Sequence, residues 1–325
     1  MEHLTSFGFY AILIESFKLL PKNGKLTMLI AIFSIVMHSI LSFLLFYCID
    51  FLISDILVHL MPDPTSFDPN NPTTFAPKTN SNFPLLNPSF KKDLSFVLIV
   101  EIAYIVATLM VAFLSGISII IVSIASYSAK SLSLKELLGC IRRTWTRPLI
   151  TTLYIWLLTF SCLVFTSMLI SPLLIYNTPP TIMVAIVFGI GAYIFLLYLN
   201  VPWLLAIVIS VAEENYSGLE ALGKASTLIK GKRVHGFLIN VSYCVFSMVV
   251  VGGCKMILLR NRWLSHHVMV YTFFVALLLH LTTLLAIVAY TVLYIRIKKI
   301  DGEDVELSGS ILYAKLPTIQ PYSTD

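Results

Sequence analysis

Four ionisable side chains stand inside long apolar runs of this chain, and such groups are the first candidates for chemistry. They are His38, Glu101, Lys255 and His280. His38 and His280 each lie about 12 residues into their runs, roughly 18 Å deep at 1.5 Å per residue. Two imidazoles at matching depth could face each other across a bundle as a proton relay or a metal pair. The competing reading is a neutral imidazole hydrogen-bonded to a neighbouring helix, the cheaper arrangement in an apolar medium. No carboxylate shares their depth to complete a ligand set, so no metal is expected. Glu101 and Lys255 lie about 10 Å and about 6 Å inside the boundary of their runs. They could form an ion pair, since either charge alone is costly to bury; the alternative is that each snorkels separately to the interface. Asn200, two residues before Pro202, could donate to a carbonyl that the proline frees. No stretch carries an unambiguous catalytic, cofactor or transport signature, so neither an enzymatic activity nor a cofactor is expected.

The elements that would position these residues are membrane spans. Hydrophobic residues make up 58% of the 325 and charged ones 12%, with a mean hydropathy of +0.88; soluble domains carry about 25% charged residues. A span needs roughly 20 apolar residues. Six runs qualify: 26–49, 94–126, 149–176, 181–211, 234–259 and 268–295. The second and fourth must tilt, kink or project beyond the hydrocarbon, and Pro202 offers one kink. Sixteen of the 22 Lys and Arg fall on one side of these spans, which predicts that side, and both termini, to be cytosolic. The net charge of +5 reflects this bias; the bases flank spans instead of forming one stripe, so no direct nucleic-acid contact is expected. The first run is too long for a signal-peptide core and no cleavage site follows. The five cysteines lie in spans or on the cytosolic side, so no disulfide framework is expected.

The chain reads as an all-α integral membrane protein. Its six transmembrane helices and three cytosolic amphipathic helices form a threefold helix-plus-hairpin repeat. The segments are a cytosolic amphipathic stretch (1–25), a first hairpin (26–126) with a Pro-rich outer loop (50–93), a second amphipathic helix and hairpin (127–211), a third (212–295) and a cytosolic tail (296–325). Ser133 with Glu136, and Ser217 with Glu220, have the spacing of capping boxes. The sequons at Asn71 and Asn87 are blocked by proline, and those at Asn215 and Asn240 fall on the cytosolic side or in a span, so no N-glycan is expected. Helices of this kind lie in the headgroup plane and attract anionic lipid at about 1 kcal/mol per base. Arg142, Arg143, Arg147, Lys230, Lys232 and Arg233 are the bases placed to do so; the bland alternative is that the helices are elbows orienting the hairpins. Two small-xxx-small pairs, Ala112 with Gly116 and Ala185 with Gly189, predict close contacts inside the bundle.

Residues 213–233 combine an acidic start, Gly218, Ala221-Leu222, Ser226 and Lys230-Gly231-Lys232-Arg233 before a span. This stretch resembles the bacterial membrane domain attached to glycerophosphodiester phosphodiesterases. It also resembles a plant family of uncharacterised six-span membrane proteins, some labelled putative poly(A)-binding-protein-interacting proteins. The resemblance implies a fold and no activity: the bacterial chemistry belongs to a separate barrel with an early His-Arg pair, and this chain has neither. Physically, Gly218 and Gly231 bracket a helix, the latter as its C-cap, while Ala221 and Ala225 permit close helix approach. In the tail, Tyr313 and Leu316 fit the Tyr-x-x-apolar pattern bound by trafficking adaptors. The expected function is a non-enzymatic scaffold or membrane-organisation and trafficking factor of the endomembrane system or plasma membrane, with the lipid bilayer, a tail-binding cytosolic protein or an adaptor as partners. A transporter of a small solute or lipid through the bundle interior is the alternative.

Overall fold

A computed structural model of the chain describes residues 8–60, 88–176, 178–260 and 268–301. Every regular element among them is an α-helix. In order these are α1 (Phe9–Leu19), α2 (Gly24–Leu60), α3 (Pro88–Tyr127), α4 (Leu134–Thr144), α5 (Thr146–Ile175), α6 (Pro179–Ala212), α7 (Gly218–Leu228), α8 (Arg233–Arg260) and α9 (Val268–Ile300). Six of them, α2, α3, α5, α6, α8 and α9, are long and apolar enough to cross a membrane. A short helix followed by two long ones occurs three times in this order.

Both helices of the first hairpin enter the segment 50–93, which composition assigned to a loop. Phe51, Leu52, Ile53, Ile56 and Leu57 keep α2 apolar as far as Leu60, and Pro88 opens α3 where its missing N–H has no helical partner to lose. Residues 61–87, with the other prolines of that segment, lie outside the described residues.

The centre is built from the C-terminal parts of α3, α6 and α9, which touch one another pairwise. Every residue of 117–126, 208–212 and 288–295 is buried. Such stretches must be apolar or small on all sides, and runs such as Ile119-Ile120-Ile121-Val122 meet that demand. Ile12 and Leu19 of α1, Leu137 of α4, and Ala221 and Ala225 of α7 complete the same cluster. Away from this centre the long helices present large apolar side chains outward, as at Leu157 and Phe160 on α5. Lipid tails accept that surface, and water does not.

Polar contacts show that the ends of each hairpin converge on one end of the bundle. Asn23 Nδ2 donates to Ser126 Oγ at 2.9 Å and to the Lys130 carbonyl at 3.0 Å, closing α2 on α3. Arg147 donates to the Glu213 carbonyl at 2.8 Å, closing α5 on α6. Lys232 pairs with Asp301 at 3.2 Å, closing α8 on α9. Arg296 Nε donates to Glu15 at 2.6 Å and holds α1 on α9.

The first capping box forms, with the Ser133 N–H on Glu136 at 2.9 Å and the Glu136 N–H on Ser133 Oγ at 3.3 Å. The second does not, because Ser217 makes no side-chain cap bond. Gly218 takes φ +55°, and its N–H goes to Thr151 Oγ1 of α5 at 2.9 Å. The Glu220 N–H, which a capping box would aim at Ser217 Oγ, goes instead to the Ser217 carbonyl at 3.2 Å. Gly231 takes φ +82° but is not the C-cap of α7; that is Ile229, and Gly231 lies two residues beyond it in the turn into α8. Of the small pairs, Gly116 faces Ile287 of α9 and Gly189 faces Ile170 of α5, both within the bundle.

Candidate functional site

His38 on α2 and His280 on α9 meet, with ring centroids 4.4 Å apart and an interplanar angle of 37°. One residue orients both. The buried Ser34 lies one turn before His38 and accepts from His38 Nδ1 through its carbonyl at 2.8 Å. Its Oγ lies 2.6 Å from His280 Nε2. A carbonyl can only accept, so His38 Nδ1 carries a proton, and in the neutral tautomer that this selects Nε2 is a lone pair. Both rings line a half-open cavity of about 260 Å³ with Ala112 and Ser115 of α3 and Ala276, Leu279, Thr283, Leu284 and Ile287 of α9. No cluster of three or more His, Cys, Asp or Glu occurs among the described residues, and Ser34 already engages one nitrogen of each ring. The arrangement suits a hydrogen-bonding site and lacks the ligand set of a metal centre.

The other intramembrane candidates do not join it. Glu101 and Lys255 are both exposed, and no ion pair links them. Asn200 is half-buried and its side chain makes no hydrogen bond with the described residues. A side chain from another helix bonds the backbone of α6 one residue before the carbonyl that Pro202 frees. Pro202 has no N–H for the Tyr198 carbonyl, and next to it the Leu197 carbonyl accepts from Asn240 Nδ2 of α8 at 2.9 Å. Tyr290 of α9 then donates to Asn240 Oδ1 at 2.7 Å, so three helices share one buried network. Asn240 stands within an apolar run, a placement that could have marked it from the sequence.

Among the basic residues, Arg142, Arg143 and Lys230 are exposed, while Arg147, Lys232 and Arg233 work inside the protein. Arg233 donates to Tyr198 Oη at 2.7 Å and to Ser226 Oγ at 3.2 Å. The hub of this end is Glu213, immediately after α6. Its carboxylate receives Lys224 of α7 at 2.5 Å, Tyr294 Oη of α9 at 2.7 Å and Lys298 of α9 at 3.4 Å. Burial alone would raise its pKa; the hydrogen bonds from Lys224 and Tyr294 and the charges of Lys298 and Lys224 outweigh that effect and hold it below the ordinary value. Nothing local in the sequence marks this carboxylate apart from its neighbour Glu214, because its partners stand up to 85 positions away.

The short helices also show two-sided packing. On α1, Ile12, Ser16 and Leu19 are buried, while Tyr10, Ile14 and Phe17 are exposed beside Lys18. On α4, Leu137, Cys140 and Thr144 are buried, while Leu134, Leu138 and, just past its end, Trp145 are exposed beside Arg142. All five cysteines are free. A second, larger groove of about 800 Å³ runs between α5 and α6, but its walls are almost wholly apolar. The tail pair Tyr313 and Leu316 lies outside the described residues.

Comparison with curated proteins and with solved structures found no match, and nothing found links the chain to glycerophosphodiester phosphodiesterases. Residues 1–317 match the family described as Domain of unknown function (DUF8558), and the chain belongs to that family.

Proposed function

We propose that this is a non-enzymatic multispan membrane protein that organises lipid or docks partners at the end of the bundle carrying α1, α4 and α7. The observation that carries the reading is the outward face of α1 and α4, where large apolar side chains stand beside bases. Tyr10, Ile14 and Phe17 accompany Lys18, and Leu134, Leu138 and Trp145 accompany Arg142. Such a face sinks its apolar side into the headgroup boundary and draws anionic lipid to its bases. The charge bias of the flanks puts this end at the cytosolic leaflet. The three short-long-long units, read as a triplicated helix-plus-hairpin module, would present one such helix each, and the resemblance of 213–233 to other six-span proteins supports an architectural role. Only α7 lacks a comparably large apolar face, with Leu219 its main exposed apolar side chain.

The test uses the full chain reconstituted in vesicles of mixed neutral and anionic lipid. Lipid co-extracted with the protein should be enriched in the anionic species, and Lys18→Gln with Arg142→Gln should cut that enrichment by roughly thirtyfold, at about 1 kcal/mol per base. Absence of enrichment around the wild type, or turnover of lipid by the purified chain, sinks the reading. A transporter is the second reading, and the cavity at His38 and His280 favours it. Solute flux in the same vesicles that depends on those two histidines would replace the scaffold with a carrier. For the tail, Tyr313→Ala should redistribute the protein between compartments if an adaptor reads this pattern; an unchanged distribution removes trafficking from the proposal.

A further inference from the structure

The cavity between α2, α3 and α9 offers several hydrogen-bond acceptors whose own protons are already engaged, beside His280, whose Nε2 is held by Ser34 Oγ. His38 Nδ1 is committed to the Ser34 carbonyl, so Nε2 is left as an acceptor. Ser115 Oγ donates its proton to the Ala112 carbonyl at 3.0 Å. Thr283 Oγ1 donates to the Leu279 carbonyl at 2.9 Å, and Tyr243 of α8 approaches it at 3.3 Å. Each hydroxyl oxygen therefore offers lone pairs with its own proton spent. The remaining walls are Ala112, Ala276, Leu279, Leu284 and Ile287. No carboxylate, lysine or arginine lines the cavity to balance a charged guest.

We propose that this cavity binds a neutral amphiphile carrying a hydroxyl group, an alcohol or phenol dissolved in the bilayer. Its O–H donates to His38 Nε2 or to the Ser115 and Thr283 oxygens, and its apolar body lies against the alanine, leucine and isoleucine walls. The volume of about 260 Å³ is just under the roughly 300 Å³ at which sites for drug-sized ligands begin, so a compact one- or two-ring body or one end of a larger lipid fits. A polar pocket built to pair with a hydroxyl rejects the analogue that lacks it, because the pocket's own groups are then left unpaired. This inference does not depend on the scaffold reading, since the cavity lies far along α2 and α9 from the outward faces of α1 and α4.

The probe is 1-naphthol, compared with 1-methoxynaphthalene, which keeps the rings and loses the donor. Both are titrated into nanodiscs holding the full chain, with protein-free nanodiscs subtracting partition into lipid. Wild type should bind the naphthol about tenfold or more tightly than the ether. His38→Leu should bring the ratio to about one. Thr283→Val, which keeps the side-chain shape, should lower it about threefold while the protein elutes unchanged, so a folding defect at His38 does not decide the result. Equal binding of the two probes to wild type, or a ratio indifferent to both substitutions, overturns the proposal. A sterol in the nanodisc bilayer separates the two sources of such a hydroxyl. Displacement of naphthol by the sterol and not by its methyl ether identifies a resident bilayer alcohol. Undisturbed naphthol binding identifies a small diffusible one.

Discussion

Gly236→Leu is expected to lower stability by about 3 kcal/mol, the upper end of the usual penalty for overpacking a filled core. A Cβ at position 236 would lie 2.4 Å from Val201 Cγ1 and 3.6 Å from Leu293 Cδ2, and both neighbours are fully buried. Valine in a helix has one strongly preferred rotamer, so Val201 cannot turn its methyl groups aside at little cost. The helices α6 and α8 must separate instead. That separation pulls Asn240 from the Leu197 carbonyl and the Gly236 carbonyl from Tyr290, whose one hydroxyl proton is shared between Asn240 Oδ1 and, at 3.1 Å, that carbonyl. Gly236→Ala should cost less, because alanine regains about 1 kcal/mol of helix propensity against the clash. Thermal unfolding of the detergent-solubilised chain, followed by helical circular dichroism, measures both. Adding Val201→Ala to Gly236→Ala should restore part of the loss, with a coupling of about 1 to 2 kcal/mol in the double-mutant cycle. Strictly additive effects would mean that the two positions do not touch.

Glu213→Ala should destabilise the charged end by about 3 kcal/mol, and Glu213→Gln by about 2 kcal/mol, since glutamine still accepts from Tyr294. The loss comes less from the pair energies than from what remains. Lys298 and Lys224, with side chains 12% and 22% exposed, would keep their charges with the shared carboxylate gone. The effect should depend on pH in a stated direction. Because the folded-state pKa lies below the ordinary 4.5, the carboxylate contributes fully above that ordinary value. Its contribution fades as pH falls through the depressed one. Wild type and Glu213→Gln should therefore differ in unfolding midpoint at neutral pH and converge as pH falls through the depressed folded-state pKa. A gap that persists in acid would show that size or packing at 213, and not its charge, supports this end. Since Glu213 ties α7 and α9 to the end of α6, its loss should also make α7 exchange amide protons faster than α3.

The apolar runs and their flanking charges made the helix content and the six spans legible, because both signals are local. A helix satisfies its own backbone within five residues, so an uninterrupted apolar stretch suffices to call it. The Ser133 box was readable for the same reason. Ser217 has the same local pattern and fails: the Glu220 N–H bonds the Ser217 carbonyl and not its side chain, while Thr151, 67 positions before Gly218, accepts that glycine's N–H and holds the helix start to α5. Asn200 was legible as polar and near a proline, yet the side chain that reaches the α6 backbone there, at the Leu197 carbonyl, is Asn240 from another helix. Adjacency in sequence does not select the partner; the face that α6 turns toward α8 does. The end of α2 was misjudged by composition because Asp50 and Asp55 look like loop residues while the apolar side chains between and beyond them continue the helix.

For the candidate site, matching depth was enough to put His38 and His280 forward as a pair, since depth follows from counting residues at a fixed rise. Whether they met depended on the rotation of α2 and α9 about their axes, which the packing of the whole bundle sets. The same holds for Glu101 and Lys255, which the packing leaves exposed and apart. By itself, then, the sequence determined that this chain forms apolar helices with one basic flank, because hydrophobic period and charge bias act through neighbours along the chain. Only the tertiary structure decided which polar groups meet. Ser34 between two imidazoles, Asn240 beside a proline's orphaned carbonyl and Glu213 among two lysines and a tyrosine are all contacts between helices distant in sequence. Their pairing is fixed by side-chain packing at the buried junction of α3, α6 and α9.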